Sequence, residues 1–397
     1  MDPSRIQIRG PLASHVEGLW EALRAQGYAV LSVRNLAYVM AHLSRWLERQ
    51  RLAPTELTSE HIERFLRHRR RAKYTCWLSK RGLEPILGYL RAVGVVLPLE
   101  PPTRTATAVD ALIDRYMEYL RTERAVSTIT ADSYGRIARA LLSEHDDARA
   151  LTVESVNTFV LQASRAGAAS SAKRKVTAVR SLVRYLYAHG DVAVDLAAAV
   201  PAVAGWRLAW LPKALSPGDV KRLLACWDRR THAGRRGYAI VLAMVRLGLR
   251  AGEVAALMLD DVHWTQGELV IRGKGRQLDR LPLPVDVGAA LAAYARWTRP
   301  SSKSRRLFLR LRAPYSPLSS SAVKATVREG CRRAEITPVG AHRLRHTAAT
   351  EMLRRGASLS DIAQVLRHRH VDTTAIYAKV DRVALRALAL PWPGGDV

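Results

Sequence analysis

The stretch GELVIRGKGRQLDRLPLP, residues 267–284, is unlike the sequence on either side of it. Gln266-Gly267 introduces an aliphatic run, Leu269 to Ile271. Gly273-Lys274-Gly275 is turn chemistry, and RLPLP reads as a second short strand ending at proline. The flanking sequence has helical hydrophobic spacing. A β-hairpin, part of a three-stranded sheet, is therefore expected inside a domain of helices, with Lys274 projected at its tip between two glycines. A lysine in such a turn is ordinarily just solvated, so its meaning depends on what surrounds it.

Toward the N-terminus the chain reads as two helical bundles. SVRNLAYVMAHLSRWLERQ, residues 32–50, puts Leu36, Val39, Leu43, Trp46 and Leu47 on one face. In LAPTELTSEHIERFL, Thr58 or Ser59 is placed to cap a helix carrying Ile62, Phe65 and Leu66. The same layout returns downstream. STITADSYGRIARALLSE is followed by ALTVESVNTFVLQ, so that Thr152 matches Thr58 and Phe159 matches Phe65, about 94 residues on. Likewise LGYLRAVG is echoed by VRYLYAHG, aligning Tyr89 with Tyr185 and Gly94 with Gly190. Proline- and threonine-rich PLEPPTRTATA lies between the copies, and a second boundary falls in AVPAVAGWRLAWLPKALSPGDV, where Ser216 and Pro217 start a helix. The expected organisation is a bundle at 1–98, a linker at 99–108, a second bundle at 109–200, a linker at 201–213 and a C-terminal domain at 214–397.

Three further islands flank the hairpin in that last domain. VRLGLRAGEVAAL sets Arg250 and Glu253 at a break between helices, loosened by Gly248 and Gly252. AHRLRHTAATEML is a helix whose core face is Ala341, Leu344, Ala348 and Met352, with His342 and Arg345 as neighbours on an adjoining face. VLRHRHVDTTAIYAKV runs four basic or imidazole side chains, Arg367 to His370, ahead of a lone tyrosine, Tyr377. His342 and His346 stand four apart on a helix, as zinc ligands do. Arg343, Arg345, Arg367 and Arg369 intervene between or flank these and the other candidates, His368 and His370, however, and guanidiniums oppose a divalent cation while favouring a phosphate. No metal is expected.

The charge points the same way. Lys+Arg number 63 against 35 Asp+Glu, a formal net charge of +28 over 397 residues, which fits a polyanionic partner better than a small substrate. Three scattered cysteines argue for a reducing compartment, no apolar run approaches a membrane span, and the first 20 residues lack the apolar centre of a signal peptide. A cytoplasmic, nucleoid-associated protein is expected, with double-stranded DNA as partner. Around a phosphodiester, two arginines stabilise the charge of a five-coordinate transition state, histidines accept a proton, and a lysine protonates the leaving oxygen. A phenol, with a reference pKa near 10, needs positive charge beside it to attack.

GLRAGE, GKG, HRLRHT and LRHRHVDTTAIY, in this order, resemble the motifs of the tyrosine recombinase (phage integrase) family, over about residues 109–390. The resemblance implies the tyrosine recombinase fold: mainly α, with helical DNA-binding bundles, a SAM-like core-binding domain at 109–200, and an α-rich catalytic domain holding a small antiparallel sheet. It implies Arg250 and Arg345 as phosphate clamps, Lys274 as general acid, His342 as general base and His368 as a hydrogen-bond donor to the phosphate. Tyr377 would be the nucleophile and Glu253 a supporting acid. It also implies covalent 3′-phosphotyrosine chemistry without metal, cofactor or ATP, and a homotetramer on two DNA sites with DRVALRALAL, residues 381–390, packing on a neighbouring protomer. Companion recombinases are further partners to expect. One position departs from the family, Arg367 standing where a glycine is usual. The extra bundle at 1–98 favours an integrase or transposase of a bacterial mobile element. A chromosome-resolution recombinase and a type IB topoisomerase-like enzyme are the alternatives.

Overall fold

The computed structural model describes residues 8–97, 107–143, 145, 147–165, 169–202, 214–273, 278–367, 374 and 376–377; for 163–165 and 169–170 it describes the backbone alone. Two compact units form: Met1–Leu57 with Phe65–Leu97 and Trp210–Val397, and Thr58–Arg64 with Pro98–Ala209. Among the described residues, no helix is long and apolar enough to cross a membrane.

The first helices are α1 (Val16–Ala25), α2 (Val30–Gln50), α3 (Ser59–Arg71) and α4 (Lys80–Ala92). The next four are α5 (Ala108–Thr122), α6 (Thr128–Leu142), α7 (Val153–Arg165) and α8 (Ala169–Ala188). The expected apolar face of α2 is buried throughout, from Leu36 to Leu47, and Trp46 meets Phe65 edge-on at 5.7 Å. The repeat read in the sequence extends to backbone chemistry. Thr58 Oγ1 accepts from the His61 amide at 3.3 Å, and Thr152 Oγ1 accepts from the Ser155 amide at 3.2 Å, so each caps the helix that follows it. Gly94 and Gly190 both sit at positive φ, +74° and +72°. Val95 and Asp191 then donate back to Leu90 and Leu186, each at 2.9 Å, the Schellman closure that only a left-handed residue permits cheaply.

The C-terminal part opens with α9 (Pro217–Ala225), capped as expected by Ser216, whose Oγ accepts from the Asp219 amide at 3.0 Å. Then follow α10 (His232–Leu247), α11 (Ala251–Ala256), β1 (Val262–His263), β2 (Glu268–Arg272), β3 (Leu278–Pro282), α12 (Val285–Trp297), α13 (Ser320–Arg333), α14 (Ala341–Arg354) and α15 (Leu359–Leu366). Helix α10 is buried on nearly every side from Ala239 to Met244 because α12, α13 and α14 all pack on it. The expected three-stranded sheet is present, antiparallel in the order β1-β2-β3, with Leu269 opposite Leu281 and both side chains in the core. Strand β3 begins at Leu278, two residues ahead of RLPLP, since Leu278 and Asp279 pair with Arg272 and Ile271. Within this unit the Tyr315 hydroxyl also donates to the Gly27 carbonyl at 3.2 Å.

Candidate active site

Helix α10 ends at Gly248 in the left-handed conformation, φ +60°, and Arg250 starts α11 two residues later. Gly248 is required twice over: the backbone is left-handed, and a Cβ there would run into Leu366. Glu253, buried in the first turn of α11, accepts from the Arg250 amide at 2.8 Å and from the Arg250 guanidinium at 2.6 Å. It also accepts from the Arg367 guanidinium at 2.7 Å. Burial works against ionising this carboxyl, but Arg367 and Arg250 outweigh it and hold Glu253 below the ordinary carboxylate range. Arg250 remains partly exposed, with 45% of its side chain open to solvent.

Arg345, by contrast, is 1% exposed. It projects from α14 and donates to the Gly248 carbonyl at 2.8 Å and to the Leu366 carbonyl, which terminate α10 and α15. Both carbonyls are among the unpaired acceptors that helix ends leave. The guanidinium thereby ties three helices at one point. Burial, followed by the charges of Arg250 and Arg367, pushes its pKa down to about 10. Two cations thus act against its charge, and Glu253 is the largest favourable charge acting on it.

Tyr377 lies across the same corner. Its ring fills an apolar cluster with Ala349, Ile362 and Leu366, and its amide donates to the Thr374 carbonyl at 2.9 Å in a tight turn. Its hydroxyl lies 2.8 Å from His346 Nδ1. His342 and His346, one helical turn apart on α14, meet edge to face with centroids 4.7 Å apart. His346 is pushed down to about 4 by burial, then by His342, Arg345 and Arg343. His342 keeps an exposed edge, yet desolvation of its inner face and then Arg345 and Arg250 lower its pKa also. Both imidazoles are therefore neutral at pH 7, and Nδ1 of His346 accepts the phenolic proton when its own proton sits on Nε2.

Of the residues singled out in the sequence, Arg250, Glu253, His342, Arg345 and Tyr377 converge here. Lys274 and His368 lie outside the described residues, as do Arg369, His370 and the segment 381–390. The phenol is not lowered as a run of basic residues suggested. Burial, outweighing Arg345, pushes Tyr377 up to about 12. Arg367, the described member of that run, turns instead to Glu253. It does so from a left-handed backbone, φ +56°, the conformation for which a glycine is usual at a helix end. His346 is a partner of the tyrosine that the sequence reading does not single out: its spacing from His342 suggests metal, although position 346 follows Arg345 directly and adjoins the same face.

A profile of the phage integrase family matches residues 213–383, and one of the phage integrase N-terminal SAM-like domain matches residues 113–190. A putative integrase/recombinase of Sinorhizobium fredii is 41% identical over 395 residues, spanning 97% of this chain and 95% of that protein. The tyrosine recombinase XerD of Mycobacterium tuberculosis is 32% identical over 304 residues, 70% of this chain and 95% of the relative. Among solved structures, a lambda integrase dimer bound to a core site matches 72% of this chain and 98% of its own at a TM-score of 0.55 and 17% identity. XerH site-specific recombinase bound to a palindromic substrate matches 82% and 93%, also at 0.55 and 17%. At that identity the likeness is one of fold.

Proposed function

This chain belongs to the phage integrase family of tyrosine recombinases, enzymes of site-specific DNA recombination, and on that premise we propose that it cuts and rejoins DNA through a 3′-phosphotyrosine at Tyr377. The observation that carries this reading is a tyrosine hydroxyl held on a neutral histidine beside a buried guanidinium, in a corner where Arg250 and Arg367 share one carboxylate, Glu253. Cations outnumber anions in such a corner, which favours entry of a further anion. A phosphodiester between Arg250 and Arg345 supplies the missing charge, and the same two guanidiniums stabilise the further charge of the transition state. Lys274, which follows β2 in the sequence, delivers a proton to the departing 5′-oxygen, and His368 hydrogen-bonds the phosphate. The covalent bond stores the phosphodiester's energy for rejoining.

The partner in this reading is double-stranded DNA, contacted by both bundles and by the C-terminal domain. The first bundle offers an exposed basic edge at Arg67, Arg70, Arg71 and Lys73. Strands are exchanged in a homotetramer on two sites, the assembly in which lambda integrase has been seen on a Holliday junction. The role is integration or excision of a mobile element. The support is that the Sinorhizobium integrase/recombinase matches almost the whole chain, whereas XerD recombinases are matched nearly end to end by only about 70% of it. The test is covalent trapping. Wild-type protein mixed with a nicked duplex of its site should yield a detergent-resistant DNA adduct, and Tyr377→Phe should yield none while binding the duplex with similar affinity. An adduct formed by the phenylalanine variant overturns the assignment.

A further inference from the structure

We infer that His346, rather than His342, holds the Tyr377 hydroxyl in register and takes its proton during attack on the phosphodiester. The inference rests on Tyr377 being the nucleophile and adds a catalytic residue to that reaction. Geometry favours His346: its Nδ1 is 2.8 Å from Tyr377 Oη, within the range for direct proton transfer, while the His342 ring meets His346 edge to face with centroids 4.7 Å apart. Helix α14 is anchored at the adjoining residue by Arg345, whose donors reach Gly248 and Leu366, so the imidazole is delivered from a fixed support. The phenol is equally constrained, its ring wedged among Ala349, Ile362 and Leu366.

The groups that bear on His346 are His342, Arg343 and Arg345 of its own helix and Tyr377 from the segment packed across it. Burial first, and then these neighbours, disfavour its protonation in the DNA-free protein, and its neutral Nδ1 lies against the phenol as an acceptor. When a phosphodiester enters beside Arg345, its negative charge offsets part of that field and raises the proton affinity of His346 at the moment it is needed. The step balances. The Tyr377 O–H proton passes to Nδ1, the phenolic oxygen forms the O–P bond, the P–O5′ bond breaks, and the 5′-oxygen leaves with a proton from Lys274. In rejoining, the 5′-hydroxyl returns its proton to Lys274 as its oxygen attacks phosphorus, the O–P bond to Tyr377 breaks, and the phenolic oxygen recovers its proton from His346. His342, edge-on to His346, positions the ring that does this.

The experiment uses the full chain and a duplex enriched from random sequence by the protein itself, nicked so that the cleaved end diffuses away. His346→Gln keeps a hydrogen-bonding side chain that cannot take a proton. Its rate of covalent attachment should fall roughly 10²–10³-fold, within the usual range for loss of a general base, with duplex affinity unchanged. The wild-type rate should be level between about pH 6 and 9, while the glutamine variant climbs with pH toward the tyrosine's own ionisation. Added imidazole should restore part of the rate of His346→Ala, which loss of a purely structural contact would not allow. A glutamine variant that attaches DNA as fast as wild type, or faster, as it would if the hydrogen bond only parked the tyrosine, overturns the inference and leaves Tyr377 as nucleophile. No adduct with wild-type protein overturns both.

Discussion

Among the described residues, Arg69 and Arg345 are almost fully buried with no carboxylate hydrogen-bonded to them, and their surroundings differ in an instructive way. Arg69, on α3, donates to the Cys76 carbonyl at 3.1 Å and lies against His42 Nδ1 at 2.9 Å. Its guanidinium sits 4.4 Å over the Tyr74 ring. Arg345, on α14, also donates to carbonyls, but its charged neighbours include Arg250 and Arg367. Arg69 is thus a cation set among π-electrons and lone pairs, which closes the α3–α4 connection over the bundle. Arg345 is a cation set among cations, with Glu253 shared between Arg250 and Arg367 as the carboxylate that opposes them. The first arrangement is satisfied by its own neighbours, and the second keeps an excess of positive charge that a further anion would offset.

The largest break between them is expected in chemistry. Arg345→Ala should slow covalent attachment by roughly 10²–10³, the usual loss for one group that stabilises transition-state charge, and it should abolish the rise in melting temperature that inorganic phosphate gives the wild type. Lys274→Ala should also be slow, by roughly 10²–10⁴. A 5′-bridging sulfur, which departs without a proton, should rescue the lysine variant and leave Arg345→Ala slow. Equal rescue of both variants would mean that Arg345 assists the leaving group rather than the phosphate.

Sequence and structure separate these two arginines with different success. The island HRLRHT marked Arg345 by its company, His342 three residues before it on a helix, and GLRAGE marked Arg250 and Glu253 by the helix break they occupy. The layout of both bundles was equally legible, since cap chemistry and period alone placed Thr58, Thr152, Gly94 and Gly190. The burial of Arg345 was not legible, because its acceptors, Gly248 and Leu366, are 97 and 21 residues away and meet only in the folded core. Arg69 is one of several like residues in RHRRR, and its signal is faint: it continues the stripe of Ile62, Phe65 and Leu66 by one further turn. The pKa of Tyr377 could not be read locally at all. The neighbouring charges are written in the sequence, but the apolar cluster that outweighs them comes from α14 and α15.

A smaller effect, and of the opposite kind, is expected at Arg69. Arg69→Ala leaves His42 and the Cys76 carbonyl without their partner inside the bundle, and a hydrogen bond to a charged group is worth about 1.5–3 kcal/mol. The variant's unfolding free energy should be lower by about that margin, with a correspondingly lower melting temperature. The rate of covalent attachment at saturating DNA and the stabilisation by inorganic phosphate should stay at wild-type values. A melting curve unchanged by the substitution, or a lost response to phosphate, would erase the distinction between a structural and a ligand-seeking buried arginine.

The smallest effect is expected where an arginine has both burial and a carboxylate. Arg367 donates to Glu253 at 2.7 Å from a left-handed backbone, a conformation that costs a non-glycine residue roughly 1–2 kcal/mol. Arg367→Gly removes that strain along with the ion pair. Glu253 keeps two bonds from Arg250, so its carboxylate stays satisfied. Loss of the pair and relief of the backbone oppose each other, and net stability should shift by no more than about 1 kcal/mol. Attachment rates should stay within a few-fold of wild type, because the guanidinium is spent on Glu253 and is not free to meet a phosphate. A tenfold or greater fall in rate, with stability unchanged, would place Arg367 with Arg345 among the residues whose charge waits for DNA. It would also mean that this chain recruits a third guanidinium where its family ordinarily has only backbone.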